Sequence, residues 1–167
     1  MKALVIYYSR TGNTRKVAEA IASALRARAE VDVEELKDLE KRKLGFIGFM
    51  AAGRDALLKR NTPIEPVQAD TEAYDVVIVG TPVWAWGMTS AVRTFLDERA
   101  KGFKRTAFFL TTGGTGREKT FKQMAASCGQ LPIATLGFTE KELKDAGGVD
   151  TGVKEFVEKV TGAGSSS

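Results

Sequence analysis

The chain has 167 residues, 43% hydrophobic and 28% charged, with a net charge of 25 − 21 = +4. That is enough for one domain with a continuous core. With no histidine, Ser-His-Asp catalysis, histidine acid–base chemistry and histidine–metal sites are excluded, and no metal is expected. The lone Cys128 rules out an internal disulfide and suits a reducing, cytoplasmic location. Lysines and arginines are interleaved with acids, so the basicity points to an anionic cofactor or an acidic partner rather than to nucleic acid. The N-terminal apolar run is too short for a signal peptide, and no stretch is long enough to span a bilayer.

In chain order, Ala3 to Tyr8 has the length and β-branched or aromatic content of a buried strand. Ser9-Arg10-Thr11-Gly12-Asn13-Thr14 follows, and Val17, Ile21 and Leu25 then recur at helical spacing. A strand, a hydroxyl-rich loop with one glycine and a helix start together make a phosphate-binding geometry. Ser9, Thr11 and Thr14 offer hydroxyls, Asn13 an amide, and Gly12 a tight turn. No lysine completes a G-x-x-x-x-G-K-[ST] loop, which argues against a nucleoside triphosphate.

Val31, Val33 and Leu36 form a short second strand among acids. A crossover helix is expected over Gly45 to Leu58, ended by Asn61-Thr62-Pro63. Tyr74 to Gly80 is the clearest strand, followed by the loop Thr81 to Gly87 and a helix with Val92, Phe95 and Leu96 inward. Lys104 to Leu110 is a fourth strand, and Thr111 to Gly116 is its loop. Thr115-x-x-Glu118 there reads as a capping box for a helix carrying Phe121, Met124 and Ala125. Leu131 to Leu136 is a fifth strand. Asp150 is expected to cap a last helix with Val153, Phe156, Val157 and Val160 inward, and residues 162–167 to be a disordered Gly/Ser tail.

Alternating strands and helices predict an α/β fold, an open five-stranded parallel sheet of order 2-1-3-4-5 with helices on both faces, as one domain over residues 1–161. The ligand crevice then lies at the carboxyl ends of strands 1, 3 and 4, where all three loops meet. A phospho-receiver needs carboxylates at the ends of strands 1 and 3, which carry Ser9 and Thr81 instead. A Cys/Arg phosphatase needs its thiol in the first loop, far from Cys128. Gly113-Gly114-Thr115-Gly116 lacks the dinucleotide spacing. The middle loop, Pro82-Val83-Trp84-Ala85-Trp86-Gly87, places two tryptophans at the crevice, and a flat heteroaromatic ligand gives them a partner.

Ser9-x-Thr11-Gly12-Asn13-Thr14 resembles the flavodoxin phosphate-binding pattern, [ST]-x-T-G-x-T, and Gly80-Thr81-Pro82-Val83-Trp84 resembles the loop flanking the flavin ring. The resemblance runs from Lys2 to about Val160 and implies a flavodoxin-like fold and non-covalent FMN. Its phosphate would lie in the loop Ser9, Arg10, Thr11, Gly12, Asn13, Thr14. Its ring would lie between Pro82, Val83, Trp84, Ala85, Trp86 and Gly87 on one side and Thr111, Thr112, Gly113, Gly114 and Gly116 on the other. The flavin carries the chemistry, and no side chain is assigned a catalytic role. A backbone group at Gly87, or the Ala85–Trp86 peptide, is expected to contact the ring edge. The family implies an electron carrier between a reductase and an acceptor protein. The alternatives are an FMN-dependent NAD(P)H or quinone reductase and a non-redox α/β binding module. The chain departs from familiar flavodoxins in being basic and in having small residues where the third loop usually stacks a tyrosine. The apolar segment Gly45 to Leu58, with its basic rim, reads as an irregular crossover helix, a membrane-surface segment or a contact surface. The last of these is carried forward, for a second subunit (a homodimer) or an acidic redox partner.

Overall fold

The computed structural model describes residues 1–39, 50 and 61–162. The expected contact surface at Gly45 to Leu58, apart from Met50, and the tail from residue 163 lie outside the described residues. Five parallel strands, β1 (Lys2–Tyr7), β2 (Glu30–Glu35), β3 (Val76–Pro82), β4 (Thr106–Thr112) and β5 (Thr135–Thr139), pair in the order β2-β1-β3-β4-β5. Four described helices accompany them: α1 (Asn13–Leu25), α2 (Ser90–Arg99), α3 (Arg117–Cys128) and α4 (Ala146–Gly162). The α/β architecture and strand order are those expected.

The alternation of side chains along each strand sorts the core into two layers. Ala3, Val5, Tyr7, Val76, Ile78, Ala107 and Phe109 face α1 and α4, packing on Val17, Ile21, Leu25, Phe156 and Val160. Leu4, Ile6, Val77, Val79 and Phe108 face the other way, onto Val92, Phe95, Leu96 and Met124 of α2 and α3. Both faces of the central strands are therefore buried, which is why β1 and β3 read as unbroken apolar runs. At the edge, β2 needs only one apolar face, and Val33 remains 39% exposed. Among the described residues, no helix is long and apolar enough to cross a membrane.

Several boundaries differ from the sequence reading. Strand β4 starts two residues later than expected and ends at Thr112, so Thr111 and Thr112 belong to the sheet and not to the loop. Strand β5 starts at Thr135, because Pro132 has no N–H for a ladder and Leu131 is 83% exposed. The helix after β4 has no capping box: Gly116 is its N-cap at φ 89°, and the Thr115 carbonyl accepts a bond from Thr112 Oγ1 at 2.7 Å. Helix α4 begins four residues before Asp150, which instead pairs with Lys154 one turn on at 2.7 Å. Gly162, placed in the tail from sequence, closes this helix.

The turn after β5 is held by a reciprocal pair. The Thr139 N–H donates to Glu142 Oε2 at 2.7 Å, and the Glu142 N–H donates to Thr139 Oγ1 at 3.0 Å. The Thr139 N–H, then the Arg117 guanidinium at 3.0 Å, hold the Glu142 carboxyl below its ordinary value of 4.5. A carboxyl depressed in the folded state contributes stability that is present above pH 4.5 and is lost as pH falls through the folded value. Denaturant unfolding followed below pH 4.5 is therefore expected to show a shallower pH slope for Glu142→Gln than for the parent.

Candidate functional site

The carboxyl ends of β1, β3, β4 and β5 present Tyr7, Pro82, Thr112 and Thr139 at one edge of the sheet. The first loop turns into α1 through Gly12, whose φ of 97° is left-handed and favours glycine. A Cβ there would meet nothing within 4 Å, so the glycine serves the turn and not a close contact. Ser9 Oγ accepts the N–H groups of Gly12 (3.2 Å) and Arg15 (3.3 Å), closing the loop on itself. The backbone N–H groups of Thr11, Asn13 and Thr14 have no acceptor among the described residues. They belong to a loop and a first helical turn, where converging donors and the helix dipole favour an anion. A phosphate fits this cradle chemically.

The hydroxyl of Thr14 was expected to join the cradle. It is buried and paired with Thr111 Oγ1 at 2.8 Å, tying the first loop to the end of β4. One of the two hydroxyls donates to the other, which leaves a single proton in the pair for a ligand.

The second loop is a tight hairpin. The Trp84 N–H donates to the Gly87 carbonyl at 2.9 Å and the Gly87 N–H to the Trp84 carbonyl at 3.1 Å. Ala85 and Trp86 between them have φ of 47° and 60°. Two successive positive φ values make this a type I′ turn, and each residue with a Cβ there stores about 1–2 kcal/mol. The turn is held from outside by α3. A Cβ on Gly116 would lie 3.0 Å from Trp86 Cα, and one on Gly87 would lie 2.6 Å from Gln123 Oε1. Gly87 thus allows close packing on Gln123, and its N–H is engaged within the turn.

The three loops enclose a cavity of about 380 Å³. Arg10, Thr11 and Asn13 line it from the first loop, Pro82, Val83 and Trp84 from the end of β3 and the loop after it, and Thr111, Thr112 and Gly113 from the end of β4 and the loop after it. Trp84 is partly exposed in it, with Tyr8 against its ring edge-on at 5.6 Å and the Arg10 guanidinium 5.7 Å from its centroid. Trp86 lies outside the cavity lining and is 55% exposed at the hairpin tip. Ser9, Gly12, Thr14, Ala85, Gly87, Gly114 and Gly116 also lie outside the lining, in the turns that shape it. Cys128 is buried away from the cavity, and burial raises its thiol pKa.

Sequence reasoning missed Glu140, which lines the cavity just beyond β5, with its N–H bonded to the Thr112 carbonyl at 2.9 Å. It also missed Tyr8 and Gln123, which hold Trp84 and the hairpin in place. No local motif marks these three; the pairing of β5 with β4 brings Glu140 to the crevice, and the packing of α3 on the hairpin brings Gln123.

A family model described as NADPH-dependent FMN reductase matches residues 1–127. A protein of Methylocella silvestris called NAD(P)H dehydrogenase (quinone) is 37% identical over 98 residues, which is 58% of this chain and 46% of that one. The chain thus spans about half the length of the curated relatives it matches. Among solved structures, a flavoprotein of Lactobacillus acidophilus in complex with FMN superposes with a TM-score of 0.71 at 23% identity, over 86% of this chain and 97% of that one. A flavodoxin from the domain Archaea gives 0.59 at 19% identity, over 96% and 99%. The matched region takes in both motifs that carried the resemblance and the strand, loop and helix that build the cradle. The chain belongs to the NADPH-dependent FMN reductase family, a flavodoxin-like family of FMN-binding proteins.

Proposed function

We propose that the protein is an FMN-dependent oxidoreductase that takes hydride from NAD(P)H and passes electrons to a quinone-like acceptor in the cytoplasm. The phosphate of FMN rests on the N–H groups of Thr11, Asn13 and Thr14, and the ring lies beside Trp84 between the hairpin and Thr111–Gly113. Bound there, FMN supplies the hydride and electron chemistry. The chain's own part is to fix the phosphate, pack Trp84 against the ring and leave one approach to it open.

The observation that carries this reading is the third loop. Gly113 and Gly114 are exposed, and a Cβ on either would meet nothing within 4 Å. An open ring face suits a diffusing nicotinamide or quinone. Together with the family match, it ranks the reductase above the electron carrier favoured from sequence. The carrier reading keeps one supporting feature, the indole of Trp86 standing 55% exposed at the hairpin tip, where an acidic partner protein could dock.

Gly113→Tyr tests the reading by covering the open face. Its φ is not left-handed and the position is exposed, so the side chain is tolerated. FMN is expected to stay bound, while the rate of flavin reduction by NADPH falls about tenfold or more, at least 1.4 kcal/mol of barrier. Unchanged NADPH reduction in Gly113→Tyr, with unchanged quinone turnover, would remove the open face from the mechanism.

A further inference from the structure

Trp86 has no part in either layer of the core and stands 55% exposed. Its φ is 60°, at the second central position of a type I′ turn, where glycine or asparagine sits without strain. An indole kept at such a position costs stability, and local preferences are broken in this way chiefly at functional sites. The place it occupies is the rim of the flavin cavity. A Cβ on Gly116 would lie 3.4 Å from Trp86 Cδ1 and 3.0 Å from Val83 Cγ1. The indole therefore meets Val83, a lining residue of the cavity, where the second and third loops touch. Gly113, Gly114 and Thr115, which lead to that point, are all exposed.

We propose that Trp86 is a stacking platform for the acceptor, which makes the site selective for two-ring aromatic quinones over one-ring quinones. The inference rests on the reductase reading above and names the acceptor class of that same site. The cavity, at about 380 Å³, is at the small end of the roughly 300–1,000 Å³ of small-molecule sites. With the flavin bound, an acceptor therefore rests at the mouth, against the rim. A quinone is electron-poor and an indole electron-rich, which favours contact between the two rings. A second fused ring carries the acceptor outward over the rim, where that contact is made. A dihydronicotinamide is itself electron-rich and gains less from an indole, so the platform serves the acceptor rather than the donor. The acceptor takes up two electrons and two protons and leaves as the hydroquinone. NADPH supplies both electrons and one proton as hydride, and solvent supplies the other proton.

The test is calorimetric titration of the oxidised, FMN-loaded full chain with dimethylnaphthoquinone and with tetramethylbenzoquinone. Both are fully substituted on the quinone ring, so neither adds a thiol. The parent is expected to bind the naphthoquinone about three- to tenfold more tightly than the benzoquinone, and Trp86→Asn to lose that preference. Trp86→Tyr keeps an aromatic face and is expected to retain part of it. In turnover with NADPH, Trp86→Asn is expected to raise KM for the naphthoquinone by a similar factor, with a smaller change in kcat. Asparagine suits a positive φ, so the melting temperature of Trp86→Asn is expected at or above the parent's. A naphthoquinone preference that survives in Trp86→Asn would overturn the proposal, as would its absence from the parent. So would a melting temperature several degrees lower in Trp86→Asn, which would make the indole a structural prop. If NADPH fails to bleach the parent's flavin, the reductase reading falls instead. The titration uses no NADPH and decides the platform by itself.

Discussion

Gly12→Val is expected to weaken FMN about 30- to 150-fold, or about 2–3 kcal/mol, and to change riboflavin affinity little. Two costs combine. Gly12 holds φ at 97°, and a β-branched residue in that region costs about 1–2 kcal/mol or relaxes to negative φ. Relaxation swings the Thr11, Asn13 and Thr14 N–H groups away from a common point, and a hydrogen bond to a charged acceptor is worth about 1.5–3 kcal/mol. In the proposed placement only the phosphate meets those donors, so riboflavin, which lacks it, serves as the internal control. Open space around the Gly12 Cβ position removes a steric explanation. Thr11→Ala with Thr14→Ala is expected to weaken FMN less, because the Thr14 hydroxyl is already paired with Thr111 at 2.8 Å. Calorimetry giving equal losses for both flavins would place the phosphate elsewhere.

Gly80→Ala is expected to destabilise the protein by about 2–3 kcal/mol, the upper range for overpacking a core, and to lower the melting temperature by about 4–12 °C. Gly80 lies in β3 beside Phe109 of β4, both on the layer facing α1 and α4. An added Cβ would fall 2.0 Å from Phe109 Cζ and within 2.5 Å of two further ring atoms. Phe109 is fully buried, so its ring has no solvent to retreat into. The glycine is therefore a recess for the ring, two residues before β3 ends at Pro82. Shortening the ring, as in Gly80→Ala with Phe109→Leu, is expected to recover a substantial part of the loss, since the two sites share one volume. A melting temperature unchanged in the single variant would contradict the packing described here.

Much of this was legible in the chain because both layers of the core obey simple periodicities. Leu4, Ile6, Val77 and Val79 alternate with Val5, Tyr7, Val76 and Ile78, and Val17, Ile21 and Leu25 repeat at one helical turn. The cradle was legible for a local reason: strand, Gly12 turn and helix start are consecutive. What escaped depends on distant partners. The hairpin at Trp84–Gly87 has φ of 47° and 60° at Ala85 and Trp86, where Asn-Gly or Asp-Gly would have signalled the turn. Contacts with Gly116 and Gln123 of α3 hold it, and nothing in the loop's own sequence announces them. Glu140 reaches the crevice only because β5 pairs with β4, and that strand starts four residues later than the apolar run from Leu131 suggested. The side chain of Thr14 fits a phosphate motif equally well whether it faces the anion or Thr111. Only the fold decides.

The measurement that bears most directly on the proposed function is anaerobic stopped-flow mixing of the FMN-loaded full chain with NADPH, followed at the visible flavin absorbance. The account predicts bleaching at enzyme-like rates, roughly 1–10³ s⁻¹, and recovery of the band on adding a quinone. Absorbance that stays constant for minutes with NADPH, in a sample that dithionite bleaches at once, would contradict it and return the protein to the role of an electron carrier.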